Sequence, residues 1–175
     1  MDDATMLRLH VAEAKRIQLR LARLKALAYD PHTAQERFHR STARIRGIYT
    51  GNRFGKSWAA AKECDWWATG AHPYRETRPI PSRIRVVGDG FDYGIKEIIL
   101  PIFKRLVNPD DLLGGSWERA YSKGERTLTF ANGSTIQFMS YKLSDMGSGA
   151  QKFAGVELDL LWFDEHRNHL SVGRC

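Results

Sequence analysis

The stretch YTGNRFGKSW, residues 49–58, decides how the rest of the chain is interpreted. It comes close to the phosphate-binding pattern Gly-x-x-x-x-Gly-Lys-[Ser/Thr]. Three positions of that pattern are kept, namely Gly55, Lys56 and Ser57. Thr50 stands where the first glycine belongs, and a glycine follows one place later at Gly51. Because glycine lets the backbone curl towards phosphates without a Cβ in the way, Gly51 can restore the freedom that Thr50 removes. We therefore expect a working variant of the loop.

The residues on either side of the loop predict the structural context that such a loop needs. Residues 45–49 are a short apolar run, which predicts a strand that leads straight into the loop. KSWAAAKECDWWATG begins at Lys56, is rich in helix formers and ends at Gly70. In this arrangement backbone N–H groups at the head of the helix face the phosphates. Lys56 would reach the β- and γ-phosphates, and the Ser57 hydroxyl would bind Mg²⁺.

A second apolar strand near the end of the chain is predicted to complete the site. VELDLLWFDEH, which begins at residue 156, ends its apolar run at Asp164 and Glu165. Asp164 would hold Mg²⁺ through its water shell, and Glu165 would polarise the attacking water as a general base. Arg53 would place positive charge at the γ-phosphate. Each motif alone is often a coincidence, so the prediction depends on their order and context. The expected catalytic residues are Arg53, Lys56 and Glu165, and the expected metal ligands are Ser57 and Asp164.

The remaining chain alternates between helical and strand-like patterns. The sequence predicts an amphipathic helix over residues 4–28, a short helix that opens at His32 or Thr33, and a helix over 92–107 that Pro101 kinks or divides. Residues 126–141 predict a hairpin around Asn132-Gly133, and residues 145–155 a glycine-rich loop. Strands near 45–49, 84–88 and 156–163 should be parallel neighbours in one sheet with helices on both faces. Gly55 and Asp164 should then share its carboxyl edge.

Composition limits the functional classes. A chain of 175 residues with 42% hydrophobic residues fits one globular domain that buries a real core. The net charge of +7 suits a partner rich in phosphate, although charge alone does not identify one. Cys64 and Cys175 form no disulfide framework, which favours a reducing compartment. No apolar run approaches the ~20 residues of a membrane span, and the acidic start MDDATMLRLH does not resemble a secretory signal. We expect a cytoplasmic protein.

These motifs together resemble the N-terminal ATPase region of the terminase large subunit of tailed bacteriophages, the motor that pumps double-stranded DNA into capsids. TGNRFGKSW is similar to the variant loop of that family, which carries an arginine before the second glycine, here Arg53. DPHTAQERFHR resembles the upstream segment whose glutamine, here Gln35, lies near the adenine. GSTIQFMSY and KFAGVELDLLWFDE resemble the stretch that leads into the acidic strand, with Phe153 and Gly155 at recurrent positions and the Walker B pair at Asp164 and Glu165. The similarity covers about residues 28–165.

The resemblance implies an α/β fold of the ASCE-type P-loop NTPase class, a three-layer αβα arrangement with a mostly parallel sheet. An N-terminal amphipathic helix would occupy residues 1–29, and a P-loop ATPase domain, truncated after the Walker B strand, residues 30–175. The implied activity is ATP hydrolysis coupled to DNA translocation, with ATP and Mg²⁺ as cofactors. The implied cofactor-binding residues are Gln35, Gly51, Asn52, Arg53, Phe54, Gly55, Lys56 and Ser57. The implied partners are double-stranded DNA, a portal protein and a small terminase subunit. The family forms homo-oligomeric rings in the host cytoplasm and transiently at the procapsid portal, without a membrane.

The chain departs from the family after Glu165, where it reads HRNHLSVGRC. The family continues with more acidic residues and prolines, a coupling motif and a nuclease domain with its own acidic cluster. No second cluster exists here, so no nuclease site is predicted. His166 and His169 lack the His-Glu-x-x-His order of a zinc site, which favours a solvated tail. We expect a truncated or frame-shifted terminase, or a cloned fragment, with an incomplete sheet and an exposed edge.

Two alternative functions stay open at this point. The first is a catalytically dead nucleotide-binding fragment, which binds ATP and cannot turn it over because the coupling elements are missing. The second is a basic DNA-binding module whose loop grips the phosphates of the nucleic acid without ATP turnover. Salt dependence separates the second from the others, because binding to DNA phosphates weakens steeply with salt.

Overall fold

The computed structural model of the chain describes residues 6, 10, 11, 13, 14, 29–51, 53–78, 80–141 and 156–164. The chain divides into two compact units, Met1–Asp30 and Pro31–Cys175. In the first unit the described residues before position 15 are helical, and the rest of the predicted helix over 4–28 lies outside the described residues. The glycine-rich stretch predicted at 145–155 lies outside them as well.

The second unit has an α/β architecture built around a five-stranded mixed sheet. Its strands are β1 (Arg83–Gly88), β2 (Tyr121–Ser122), β3 (Thr127–Thr129), β4 (Thr135–Ser140) and β5 (Leu160–Phe163), and their order in the sheet is β2-β3-β4-β1-β5. The helices are α1 (Thr33–Arg40), α2 (Lys56–Thr69), a π-helix (Phe91–Ile99), α3 (Leu100–Leu106) and α4 (Trp117–Ala120). Two 3₁₀ turns, Pro109–Asp111 and Leu113–Gly115, precede α4.

The centre of the sheet is parallel and one side is antiparallel. β1 pairs in parallel with β4 on one side and with β5 on the other, with Val86 opposite both Phe138 and Trp162. This confirms the predicted parallel pairing of the strands near 84–88 and 156–163, although β5 is shorter than predicted. The hairpin of β3 and β4 is antiparallel, as Asn132-Gly133 predicts. β2 pairs antiparallel with β3 at the edge, and no pattern in the sequence predicted this two-residue strand.

The hydrophobic core lies between the sheet and the helices. The Phe103 ring of α3 meets Phe138 of β4 edge-on at 5.1 Å and lies 6.3 Å from Trp162 of β5. Phe103 and Phe138 are both fully buried, as are most apolar residues of β1. Helix α2 packs against α3 and also contacts β1, β4 and β5. Burying these apolar faces is the main source of stability for the unit.

Pro101 divides the helical stretch that the sequence predicts over 92–107. The first part is the π-helix, in which the Leu100 N–H donates to the Ile95 carbonyl, and the second is α3 with Pro101 in its first turn. Proline has no N–H and is tolerated at the start of a helix, so the change of helix type falls where the proline removes a donor. The prediction is confirmed.

The predicted strand at residues 45–49 is wrong. All five residues are described, and none of them belongs to a strand. Ile45 is 90% exposed and Tyr49 97% exposed, whereas a central strand would bury them. A strand also needs a neighbour to satisfy its backbone N–H and C=O groups, and within the described sheet no strand pairs with this segment. Of the three strands that the sequence predicts to be parallel neighbours, only two are therefore present, namely β1 and β5.

A search of the described helices for a membrane span found none with the length and apolar character to cross a bilayer.

Candidate functional site

The loop that precedes α2 has two residues in the left-handed backbone region. Arg53 has a φ of 66° and Gly55 a φ of 82°, and Gly55 is the N-cap of α2. The backbone conformation requires glycine there, and a Cβ on Gly55, 2.7 Å from the Gln35 Nε2, would also displace the Gln35 amide. Arg53 holds a conformation that costs a non-glycine residue energy, a feature that concentrates at ligand-binding sites.

Lys56 folds back over the loop. Its Nζ donates a hydrogen bond to the Thr50 carbonyl at 2.9 Å, which ties the start of the loop to the first residue of α2. The Thr50 hydroxyl is buried and has no hydrogen-bond partner among the described residues. A buried polar atom without a partner is costly, so the Thr50 hydroxyl has hydrogen-bonding capacity that the described residues do not use. Gly51 borders open space, because a Cβ built there would meet nothing within 4 Å.

The amino end of α2 favours an anion. The first helical hydrogen bond runs from the Ala59 N–H to the Gly55 carbonyl at 3.0 Å, so the N–H groups of the preceding turn lack an acceptor within the helix. That turn contains Lys56 and Ser57 and no acidic residue. The helix dipole adds positive potential at the same end of this 14-residue helix. The free backbone N–H donors, the helix dipole and the charge of Lys56 therefore all favour binding of an anion at this end of α2.

Helix α1 holds the other side of the loop. The buried Gln35 side chain donates from Nε2 to the Gly55 carbonyl at 3.2 Å and to the Phe54 carbonyl at 3.4 Å, and its Oε1 accepts the His32 N–H at 3.1 Å. His32 Nε2 lies 3.2 Å from the Phe54 carbonyl, and the His32 ring meets the Phe54 ring edge-on at 4.5 Å. The two residues at the start of α1 thus fix the half of the loop that contains its left-handed glycine.

Three polar residues follow the three parallel strands at one edge of the sheet. Asp89 follows β1, Tyr141 follows β4 and Asp164 follows β5. The Tyr141 N–H donates to the Gly88 carbonyl at 3.1 Å, and the Asp164 N–H donates to the Val87 carbonyl at 2.8 Å, which continues both strand pairings. Burial, a hydrogen bond to Asp89 and the negative charges of Asp89 and Asp164 raise the pKa of the Tyr141 hydroxyl. Tyr141 is therefore a neutral donor beside carboxylates.

The predicted site residues fall into two groups. Gln35, Phe54, Gly55 and Lys56 lie together at the loop, while Asp164 lies beside Asp89 and Tyr141 at the sheet edge. Ser57 is the second residue of α2, and Arg53 is exposed on the loop. Asn52, the proposed base Glu165 and the tail histidines His166 and His169 lie outside the described residues. No group of three His, Cys, Asp or Glu within the described ranges is arranged to hold a metal ion.

Sequence reasoning missed His32, Asp89 and Tyr141. The signal for Asp89 was available, because RVVGD ends an apolar run with an aspartate in the same way that LLWFD does. His32 and Tyr141 gave no such signal, since a lone histidine before a helix and a tyrosine after a strand are common. Comparison of the chain with protein-family models, with curated proteins and with solved structures found no match.

Proposed function

We propose that the chain binds Mg²⁺-ATP at the loop 50–57 and hydrolyses it, as the ATPase motor region of a phage terminase large subunit. The observation that carries the proposal is the loop itself. Lys56 closes onto the Thr50 carbonyl at the positive end of α2, with Gly55 in the left-handed region and the Thr50 hydroxyl buried without a described partner. Free N–H donors at a helix start, a lysine and a glycine in the left-handed region are features of phosphate-binding loops, and they support the proposal.

The residues available for ATP fit its phosphates. Lys56 would exchange its contact with the Thr50 carbonyl for the β- and γ-phosphates, and the Thr50 hydroxyl offers a donor close by. Arg53, exposed on the loop, would add charge at the γ-phosphate, where it counts most during phosphoryl transfer. Gln35 and His32, at the start of α1, would maintain the shape of the loop. They would also form the side of the site that faces the adenine.

The proposed metal ligands are the Ser57 hydroxyl and the Asp164 carboxylate. Both are hard oxygen donors, which Mg²⁺ prefers, and a phosphate-loop site needs few protein ligands because phosphates and water complete the shell. The absence of a three-residue metal cluster among the described residues is therefore compatible with a Mg²⁺ site of this kind. When bound, Mg²⁺ neutralises charge on the phosphate oxygens. In the same proposal Glu165 is the general base that orients the attacking water.

The finer fold and the partners belong to the same proposal. The parallel β4-β1-β5 core and helices α2 and α3 support an ASCE-type P-loop domain. The net charge of +7 supports double-stranded DNA as the translocated partner. Assembly as a ring with a portal protein and a small terminase subunit, at the procapsid in the host cytoplasm, follows from the resemblance of the loop and the acidic strand.

Titration with a series of nucleotides tests the proposal. Calorimetry with Mg²⁺ present should show binding of ATP and of ADP, and binding of adenosine that is at least tenfold weaker, because the loop donors act on phosphates. Phosphate release measured with and without DNA then tests turnover. Binding of ATP without any hydrolysis would favour the inactive nucleotide-binding fragment. Absence of ATP binding together with steeply salt-dependent DNA binding would contradict the proposal and favour the DNA-binding module.

A further inference from the structure

Glu63, two turns into α2, is a buried carboxylate that the proposed reaction does not use. Its side chain is 3% exposed. Oε1 accepts hydrogen bonds from His39 Nδ1 at 2.7 Å and from His72 Nε2 at 3.3 Å. Oε2 accepts from Arg46 at 2.8 Å and from Arg75 at 2.9 Å. We call these five side chains the Glu63 cluster.

The cluster is built to keep Glu63 ionised. Burial alone would raise the Glu63 pKa, but hydrogen bonds from His39, His72 and Arg46 outweigh it and hold the pKa well below its ordinary value. An ionised carboxylate only accepts hydrogen bonds, so each histidine donates to it. The Tyr74 N–H donates to the other ring nitrogen of His72 at 3.2 Å, which fixes His72 as the neutral Nε2–H tautomer. Two arginines on the same carboxylate disfavour a metal ion there.

Both arginines join Glu63 to the carboxyl end of α1. Arg46 also donates to the Phe38 carbonyl at 3.1 Å, and Arg75 also donates to the carbonyl of Ser41, the C-cap of α1, at 3.2 Å. Cations at the carboxyl end of a helix interact favourably with its dipole and its free carbonyls. His39, which lies in the last turn of α1, contacts Glu63 directly.

Helix α1 is therefore held at both ends. Its carboxyl end is fixed to α2 through the Glu63 cluster, and its amino end contacts the loop through Gln35 and His32. Since α1 has only eight residues, a shift at one end moves the other. The chain that enters the loop is tied to the same cluster through Arg46.

We infer that Glu63 is a positioning residue for the loop: through α1 and Arg46 it sets the position of Gln35 and of residues 53–55, and so the affinity for the nucleotide. The part that concerns affinity rests on the proposed function. The part that concerns loop position stands on the contacts alone and is measured without nucleotide.

Hydrogen exchange of the full chain without nucleotide measures how firmly α1 and the Gly55 end of the loop are held, through the opening of their hydrogen-bonded amides. The test variant is Glu63→Gln, which keeps the size of the side chain and removes its charge. Arg75→Lys is the milder variant, which keeps the charge and removes the fork between Glu63 and the Ser41 carbonyl. Glu36→Gln is the control, because Glu36 is an exposed acid on the same helix, paired only with Arg40 among the described ion pairs. Circular dichroism verifies that each variant is folded.

Exchange at the Ala59 amide, which donates to the Gly55 carbonyl, and at the amides of residues 37–40 in α1 should become about tenfold faster in Glu63→Gln and in Arg75→Lys, and should stay unchanged in Glu36→Gln. Unchanged exchange there in a folded Glu63→Gln would overturn the inference. If Glu63→Gln does not fold, Arg75→Lys decides by the same criterion.

A double-mutant cycle on nucleotide affinity separates positioning from simple destabilisation. Glu63→Gln should raise the Kd for Mg²⁺-ATP about tenfold in the parental chain and by a clearly smaller factor in a Gln35→Ala background, because the part of the effect that passes through α1 reaches the loop through Gln35. An equal increase in Kd in the parental and the Gln35→Ala backgrounds would overturn the inference that Glu63 positions the loop. If the parental chain binds no ATP, the proposed function fails, and the exchange result still decides whether Glu63 positions the loop.

Discussion

Helix α2 has two contrasting neighbourhoods, the loop before its first residue and the Glu63 cluster two turns later. The loop contains Arg53 and Gly55 in the left-handed region, a Thr50 hydroxyl without a described partner and an almost fully exposed Tyr49. The Glu63 cluster is buried and gives one carboxylate four charged or polar partners. The loop has a buried hydroxyl without a described partner, whereas both oxygens of the Glu63 carboxylate are hydrogen-bonded within the protein.

The contrast motivates the two proposals made above, that the loop binds a ligand and that the Glu63 cluster supports the loop. A ligand gains most where donors and acceptors lack internal partners, because buried polar groups without partners are costly. A rigid support next to such a site lets it keep a strained backbone. The Glu63 cluster, which reaches the loop through α1, provides this support.

Removing the carboxylate of the cluster should cost the most stability. Glu63→Ala leaves Arg46 and Arg75 without their buried counter-charge, and such a change typically costs about 3–5 kcal/mol. Urea unfolding followed by circular dichroism measures it. Glu36→Ala, which breaks the exposed pair with Arg40, should cost only about 0.5 kcal/mol. Similar losses in the two variants would contradict a special role for the cluster.

The cluster should also make stability depend on acid pH. Because the folded state holds the Glu63 pKa below its ordinary value of 4.5, the unfolded chain takes up a proton first as the pH falls. The stabilisation is full above pH 4.5 and decreases below it, by up to about 1.4 kcal/mol per pH unit. The difference in unfolding free energy between the parental chain and Glu63→Gln, measured between pH 6 and pH 3, isolates this effect from other acids such as Asp65. A difference that stays constant over this range would contradict the prediction.

The exposed segment before the loop should tolerate change. Ile45→Thr should alter the unfolding free energy by less than about 0.5 kcal/mol, because Ile45 is almost fully exposed and belongs to no strand. A loss of several times that value would indicate that residues 45–49 are buried in a sheet, as their sequence alone suggests. Urea unfolding of this variant therefore also tests the correction made to the predicted strand.

Local signals in the sequence predicted the elements that local physics determines. Gly70 ends α2 in a left-handed C-cap, Pro101 divides the long helix, and Asn132-Gly133 turns the hairpin. The predicted strand at 45–49 was wrong because a short, mainly apolar run does not reveal whether a neighbouring strand exists to pair with it.

A sequence motif predicted the loop residues. No motif could predict the residues of the Glu63 cluster that support the loop. Glu63 meets His39 and Arg46 from 24 and 17 residues away, and no periodicity or motif links these positions. Within the sequence KSWAAAKECDWW, Glu63 looks like any other helix-forming residue. Contacts of this kind depend on how α1 packs against α2, which only the fold determines.

The central claim is that the loop before α2 binds the phosphates of Mg²⁺-ATP through Lys56. Calorimetric titration of Mg²⁺-ATP into Lys56→Ala tests it most directly, with Lys104→Ala as the matched control, since Lys104 is an exposed lysine whose described ion pair is with Glu118. Both variants lose one positive charge, so a general electrostatic effect would weaken both equally. We expect binding to become at least tenfold weaker in Lys56→Ala and to stay unchanged in Lys104→Ala. Parental affinity in a folded Lys56→Ala would contradict the claim.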